Sequence, residues 1–266
     1  MSNYGQLNND WMANTADHTP LFSIINSLIF NLFSINGFII FHLILASLCV
    51  FSIYKICNLY ILKNKNFKNT ILWFIICSFI YHEKTFFFGV AGQGILNSSY
   101  QPSTFGILIL FSLYLFQINK TYFSILSLCL AAIIHPTYLI HSGFLLIGYS
   151  FYLICYKNYR EFIKINLFYI VLITPIVLYI YYNILVFDNN INYQGQSILY
   201  DFRIPHHANI NSWISYKDFQ SLLLIIASLY LIRNFKTLYV PIITVFILSI
   251  GLTVLQFFFE NKFLGL

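Results

Sequence analysis

The sequence predicts an all-α protein, a polytopic bundle of about eight transmembrane helices plus one interfacial helix, forming a single transmembrane domain over residues 1–266. Three observations lead there. Of the 266 residues, 59% are hydrophobic and 8% charged, against about 25% charged in soluble domains. The apolar residues run on in long uniform stretches, whereas an outer-membrane barrel would alternate polarity over about 10 residues. Polar and charged residues gather in the short intervals between those stretches, where the links between helices belong.

The same composition excludes other classes. A net charge of +6 would point to nucleic acid in a soluble domain. Here the basic residues sit in links between apolar runs, where orientation in a bilayer accounts for them, so the expected partner is the lipid bilayer and not nucleic acid. The five cysteines fall inside apolar runs without CxxC spacing, which suits small core residues. Residues 1–20 are polar and lack the basic and apolar regions of a cleavable signal peptide.

Taken in order, Leu21 to Ile35 mixes Asn26, Asn31 and serines with apolar residues and reads as the interfacial helix. Gly37 to Cys57 is the first full span, and Thr70 to Phe88 follows a basic link at Lys63–Lys68. A glycine-rich polar link from Gly89 to Pro102 precedes a span from Ser103 to Phe116, and Gln117 to Lys120 turns the chain. The segment from Thr121 ends at His135-Pro136, and at ~1.5 Å per residue it falls short of a hydrocarbon layer about 30 Å thick. Broken backbone at that depth must line a cavity or be covered by protein, so a recess opening towards His135 is expected. Spans at Tyr138–Tyr156, Ile165–Phe187, Phe219–Ile232 and Leu238–Phe259 complete the set.

Charge orients this topology. With the amino terminus outside, most basic residues, including Lys55, Lys63, Lys120, Lys157, Arg160, Arg233 and Lys236, lie inside, as the positive-inside rule requires. Every acid but Glu161 and every histidine but His42 then lies outside. The outer segments are approximately 1–20, 89–102 and 188–218. An outside amino terminus without a preceding span, and an apolar end at Phe263–Leu266, lead to the expectation of an abbreviated chain lacking a span upstream of Met1.

Several constellations carry possible chemistry. Asp201-Phe202-Arg203-Ile204-Pro205-His206-His207 joins a guanidinium fork, which matches phosphate oxygens, to two imidazoles. An ordinary solvated loop is the equal alternative. His135 and His141 flank the helix break, where an ionisable group in a membrane protein is a functional candidate; imidazoles satisfied by backbone or water are the plainer account. Asp10 can act as a general base, or help Asp17 and His18 hold a divalent cation, while by spacing alone a flexible polar tail is the better account. Glu83 and Lys84 pair with each other or line the recess. His82-Glu83 is not a zinc-protease start, because Phe86 stands where the second histidine belongs. Adjacent His206 and His207 point oppositely in extended chain and suit no shared metal, so no metal ligand set is assigned. His42, inside a span, is expected to hydrogen-bond to a neighbouring helix.

The order of these features resembles a known type. Tyr4-Gly5-Gln6-Leu7-Asn8-Asn9-Asp10-Trp11 and Asp17-His18-Thr19-Pro20-Leu21-Phe22 lead into an amphipathic helix; Tyr100-Gln101-Pro102, Ile134-His135-Pro136-Thr137 and Phe202-Arg203-Ile204-Pro205-His206-His207 follow. The chain thereby resembles bacterial polytopic membrane glycosyltransferases of the GT-C type, in a branch with an Arg-x-Pro-His-His outer loop. The resemblance implies transfer of a sugar from a polyprenyl-phosphate carrier to an acceptor on the outer face of the inner membrane. It implies Asp10 as the base, Arg203, His206 and His207 on the donor phosphate, and His135, His18, Glu83 and Gln101 around the substrate. A transporter or flippase, and a non-catalytic subunit or fragment, are the rival expectations.

Overall fold

The computed structural model describes residues 19–62, 100–187 and 216–263. Among the described residues the chain is all-helical and contains no strand. The described residues form seven α-helices in order: α1 (Pro20–Cys57), α2 (Ile107–Gln117), α3 (Thr121–Ile134), α4 (Tyr138–Cys155), α5 (Tyr159–Phe187), α6 (Tyr216–Ile232) and α7 (Lys236–Phe263). A π-helical turn, Asn58–Leu62, extends α1, and a 3-10 turn, Pro102–Gly106, leads into α2.

Helix α1 starts at Pro20, whose fixed φ and missing N–H suit a first helical turn. It breaks at Ser34, where φ is 56° and ψ −154°, a conformation that non-glycine residues rarely adopt. The chain doubles back there. Phe30 and Phe38 stack with ring centroids 6.5 Å apart, whereas eight residues of straight helix would separate them by ~12 Å. Gly37 permits this approach, since a Cβ on it would stand 2.7 Å from Cγ2 of Ile29. The expected boundary between an interfacial helix and a first span thus falls at a real break.

Helices α2 and α3 form a hairpin whose turn is closed by Asn119 at φ 59°, a left-handed conformation that asparagine tolerates. Serines hold the hairpin together: Ser124 Oγ donates to the Ser112 carbonyl at 2.9 Å, and Ser127 Oγ to that of Leu108 at 2.6 Å. Side chains this small let helix backbones approach and hydrogen-bond where apolar surroundings supply little driving force. Tyr149 of α4 enters the same network, its hydroxyl 3.0 Å from Ser112 Oγ and its ring stacked on Phe116 at 3.9 Å. Ile125, Leu128 and Ile165 complete a fully buried centre. Ser142 meets Tyr169 at 2.8 Å, and Asn166 donates to Ser150 at 2.8 Å, joining α4 to α5. Gly148 lets α7 lie against α4.

At one end, Tyr60 ties three helices together: it donates to Gln117 Oε1 and lies 2.7 Å from Thr237 Oγ1, while Gln117 Nε2 donates to the Thr237 carbonyl at 2.9 Å. Helix ends bearing Lys55, Lys120 and Lys236 meet there. Outward-facing Leu32, Ile35, Val171 and Leu231 are 68% or more exposed, the pattern of a bundle bathed in lipid rather than water.

Four helical stretches among the described residues are long and apolar enough to cross a membrane: 20–60, 138–155, 159–182 and 236–255. Helices α2, α3 and the apolar part of α6 are shorter. The expected span Thr70–Phe88 lies outside the described residues. Helix α5 begins at Tyr159 rather than near Ile165, because the Asn158 carboxamide accepts the Glu161 N–H at 3.4 Å and starts the helix before the apolar run. Cys49 and Cys129 are core residues as expected, whereas Cys155 is exposed at the end of α4.

Candidate functional site

The break between α3 and α4 originates in Pro136. The residue before a proline is driven from the helical region, and His135 is extended at φ −134°, ψ 101°. Its backbone remains anchored on both sides: its N–H donates to the Ala131 carbonyl at 3.0 Å and its carbonyl accepts from Tyr138 at 2.9 Å. The imidazole is thereby fixed edge-on to the Tyr138 ring at 5.4 Å. Tyr138 reaches across the bundle, its hydroxyl donating to the Ser103 carbonyl while its ring lies over Gly106, where a side chain would clash. His141 is exposed, with Nδ1 3.3 Å from the Thr137 carbonyl, the backbone-satisfied arrangement.

The second wall is the segment entering α2. Gln101 is extended, and Pro102 opens the 3-10 turn. The Gln101 N–H approaches Thr104 Oγ1 at 3.4 Å, and the Thr104 N–H donates to the Gln101 carbonyl at 3.0 Å. This reciprocal pair fixes the backbone, and Nε2 of the Gln101 carboxamide is left without a partner. Ahead of it, Tyr100 sits among four rings, with centroids 5.5 Å from Phe22, 6.0 Å from Phe38, 5.9 Å from Phe41 and 6.1 Å from Phe105. Phe22 belongs to the first limb of α1 and Phe38 and Phe41 to the second, so the folded-back helix grips Tyr100 from two directions. Ile134 packs in the same apolar cluster, bringing the His135 end of α3 alongside.

Among the described residues, six side-chain polar atoms are shut from solvent without a hydrogen-bond partner: Asn26 Oδ1, His42 Nδ1, Tyr100 Oη, Gln101 Nε2, Ser103 Oγ and His135 Nδ1. All belong to the elements just described. Asn26 follows Phe22 by one helical turn, and His42 follows Phe38 by one turn, so each shares the face that meets Tyr100. Buried polar groups are normally paired, and each exception costs about 1–3 kcal/mol. The elements carrying these six atoms meet around Tyr100 and Tyr138, which makes this end of the bundle the candidate site.

The described walls of the site carry no acidic or basic side chain other than histidine. Residues 20–54, 100–119 and 121–156 contain no Asp, Glu, Lys or Arg. Burial holds the His135 imidazole below its ordinary pKa, favouring the neutral ring, and pushes the Tyr100 phenol up to about 12. No group of three or more potential metal ligands occurs among the described residues.

Of the residues expected around a substrate, Gln101 and His135 come to this end. Asp10, His18, Glu83, Arg203, His206 and His207 lie outside the described residues. Sequence reasoning missed Asn26, Tyr100 and Ser103 as members of this group, and for His42, expected to bond a neighbouring helix, the ring atom Nδ1 is buried without a partner. The available signal was spacing, since Phe22/Asn26 and Phe38/His42 each place one polar residue a turn beyond an aromatic. No protein-family model, curated protein or solved structure matches the chain.

Proposed function

We propose that the protein is a membrane glycosyltransferase of GT-C character, which moves a sugar from a polyprenyl-phosphate donor to an acceptor at the outer face of a bacterial inner membrane. The observation carrying this reading is the uncharged cluster of unpartnered polar atoms among aromatic rings at the helix break. A lipid-linked sugar has the complementary chemistry: its tail belongs in the bilayer and its hydroxyls need partners there.

In this reading Asp10 takes the proton from the acceptor hydroxyl as its oxygen attacks the anomeric carbon. The bond from that carbon to the carrier phosphate breaks with inversion, and the electron pair leaves on phosphate. Arg203, His206 and His207 stabilise that departing charge, while His18 and Glu83 border the acceptor and Gln101 and His135 border the sugar. The reaction requires no bound nucleotide. The test is transfer of labelled sugar from polyprenyl-phosphate donors in membranes containing the full chain, compared with Arg203→Ala and Asp10→Asn. Transfer by the native chain and its loss in both correctly inserted variants supports the reading; no transfer from a broad donor panel overturns it.

A transporter or flippase for a lipid-linked or anionic substrate is the second reading, favoured by the interruption of α1 at Ser34, since discontinuous helices line transporter sites. It requires movement of a labelled lipid across vesicles without formation of a glycosidic product.

A further inference from the structure

We propose that the cluster of Asn26, His42, Tyr100, Gln101, Ser103 and His135 is a subsite for an uncharged polyhydroxylated ring, and that it discriminates against acidic sugars. This rests on the lipid-linked-sugar reading and specifies which sugars it admits. The unpartnered atoms form a mixed set. Asn26 Oδ1 accepts, Gln101 Nε2 donates, and Tyr100 Oη and Ser103 Oγ do both. Hydroxyl groups, which donate and accept at once, match such a set. An anion would need donors throughout, and a cation acceptors throughout.

The surroundings select in the same direction. With no Asp, Glu, Lys or Arg in residues 20–54, 100–119 and 121–156, these walls offer a buried carboxylate no counter-charge, and an unpaired buried charge is strongly disfavoured. The four phenylalanine rings around Tyr100 supply apolar surface for the C–H faces of a sugar, the usual composition of a small-molecule site with a few placed polar groups. Ser103 is 8% exposed, so its hydroxyl is committed to the interior. Phe22, on the limb 20–33 ahead of the break at Ser34, lies against Tyr100 at 5.5 Å and forms one side of the cluster.

The test is equilibrium binding to the full chain in a sugar-free detergent, with three probes: farnesyl phosphate, farnesyl-phosphoryl glucose and farnesyl-phosphoryl glucuronic acid. The glucose probe is expected to bind about tenfold more tightly than either other, the scale of a few additional hydrogen bonds. Gln101→Leu and Ser103→Ala are each expected to remove most of that preference while leaving farnesyl phosphate affinity unchanged. Equal affinity for the glucose and glucuronic acid probes, or a preference that survives both substitutions, overturns the subsite. If farnesyl phosphate binds and glucose adds nothing, the subsite falls while the donor reading stands. If none of the three binds, both fall.

Discussion

Gly106 and Tyr138 occupy each other's space: a Cβ on Gly106 would stand 2.5 Å from the Tyr138 oxygen. Tyr138 also donates to the Ser103 carbonyl and faces the His135 ring, so this contact sets the spacing between the two walls of the polar site. Gly106→Ala is expected to displace the tyrosine and cost about 1–3 kcal/mol, the usual penalty of overpacking. Gly148→Ala is expected to cost more, because there the Cβ meets the Pro241 backbone at 2.8 Å, which cannot rotate away. Thermal unfolding of both variants in detergent checks the order, and equal costs would contradict it.

Tyr100→Phe removes a buried hydroxyl that has no partner. The empty protein is expected to gain about 1–3 kcal/mol, since the desolvation penalty disappears with the oxygen. Binding of the glucose probe is expected to weaken in the same variant. A variant both less stable and unchanged in binding would show that the hydroxyl is paired in the working protein.

The neutral His135 ring gives stability a definite pH dependence. Its folded pKa is lowered from the ordinary value of 6.5. Above that value both folded and unfolded rings are neutral, and stability is at its full value. As pH falls through about 6.5 the unfolded ring takes up a proton that the folded ring resists, so stability declines until the folded ring also titrates. His135→Gln is expected to flatten this part of the profile, measured by unfolding at intervals from about pH 7.5 to 5.

Ser34→Gly is expected to stabilise the protein by about 1–3 kcal/mol, because glycine reaches positive φ without the strain a Cβ imposes. Ser34→Val should do the reverse, since a β-branched side chain tolerates that conformation worst. The pair of melting temperatures decides whether the break in α1 is a conformational cost that sequence choice can remove.

Ser112→Ala tests the bundle interior independently of the site. It removes the hydroxyl 3.0 Å from Tyr149 and 2.9 Å from Ser124. Ser124 keeps the Ser112 carbonyl, whereas the fully buried Tyr149 loses a neighbour. A loss of about 0.5–2 kcal/mol is expected, between the small average for membrane bundles and the larger cost of an unpaired buried group.

The helix break at His135 was legible because Pro136 dictates the conformation before it. The division of α1 was legible too, since Asn26 and Asn31 interrupt an otherwise apolar run, but its sharpness was not. Nothing about Ser34 announces a positive φ, and Gly37 shows its purpose only once Ile29 lies against it. The polar site was half legible. Gln101 and His135 stand in links, where polar residues draw notice. Asn26 reads as a mark of an interfacial helix, Ser103 as the start of a span and His42 as attachment to a neighbouring helix, and only the contacts reveal that each has a buried atom without a partner.

Helices α2 and α3 contain 11 and 14 residues, so at ~1.5 Å per residue the longer one rises only ~21 Å, well under a hydrocarbon thickness of about 30 Å. A bilayer meeting so short a hairpin thins around it to avoid exposing apolar residues or stranding polar ones. The headgroup layer then dips towards the helix break. In the proposed transfer, a carrier lipid diffusing past would find its own polar end lowered to the depth of Gln101 and His135, so these two short helices would bring the lipid to the site before any side chain touches it.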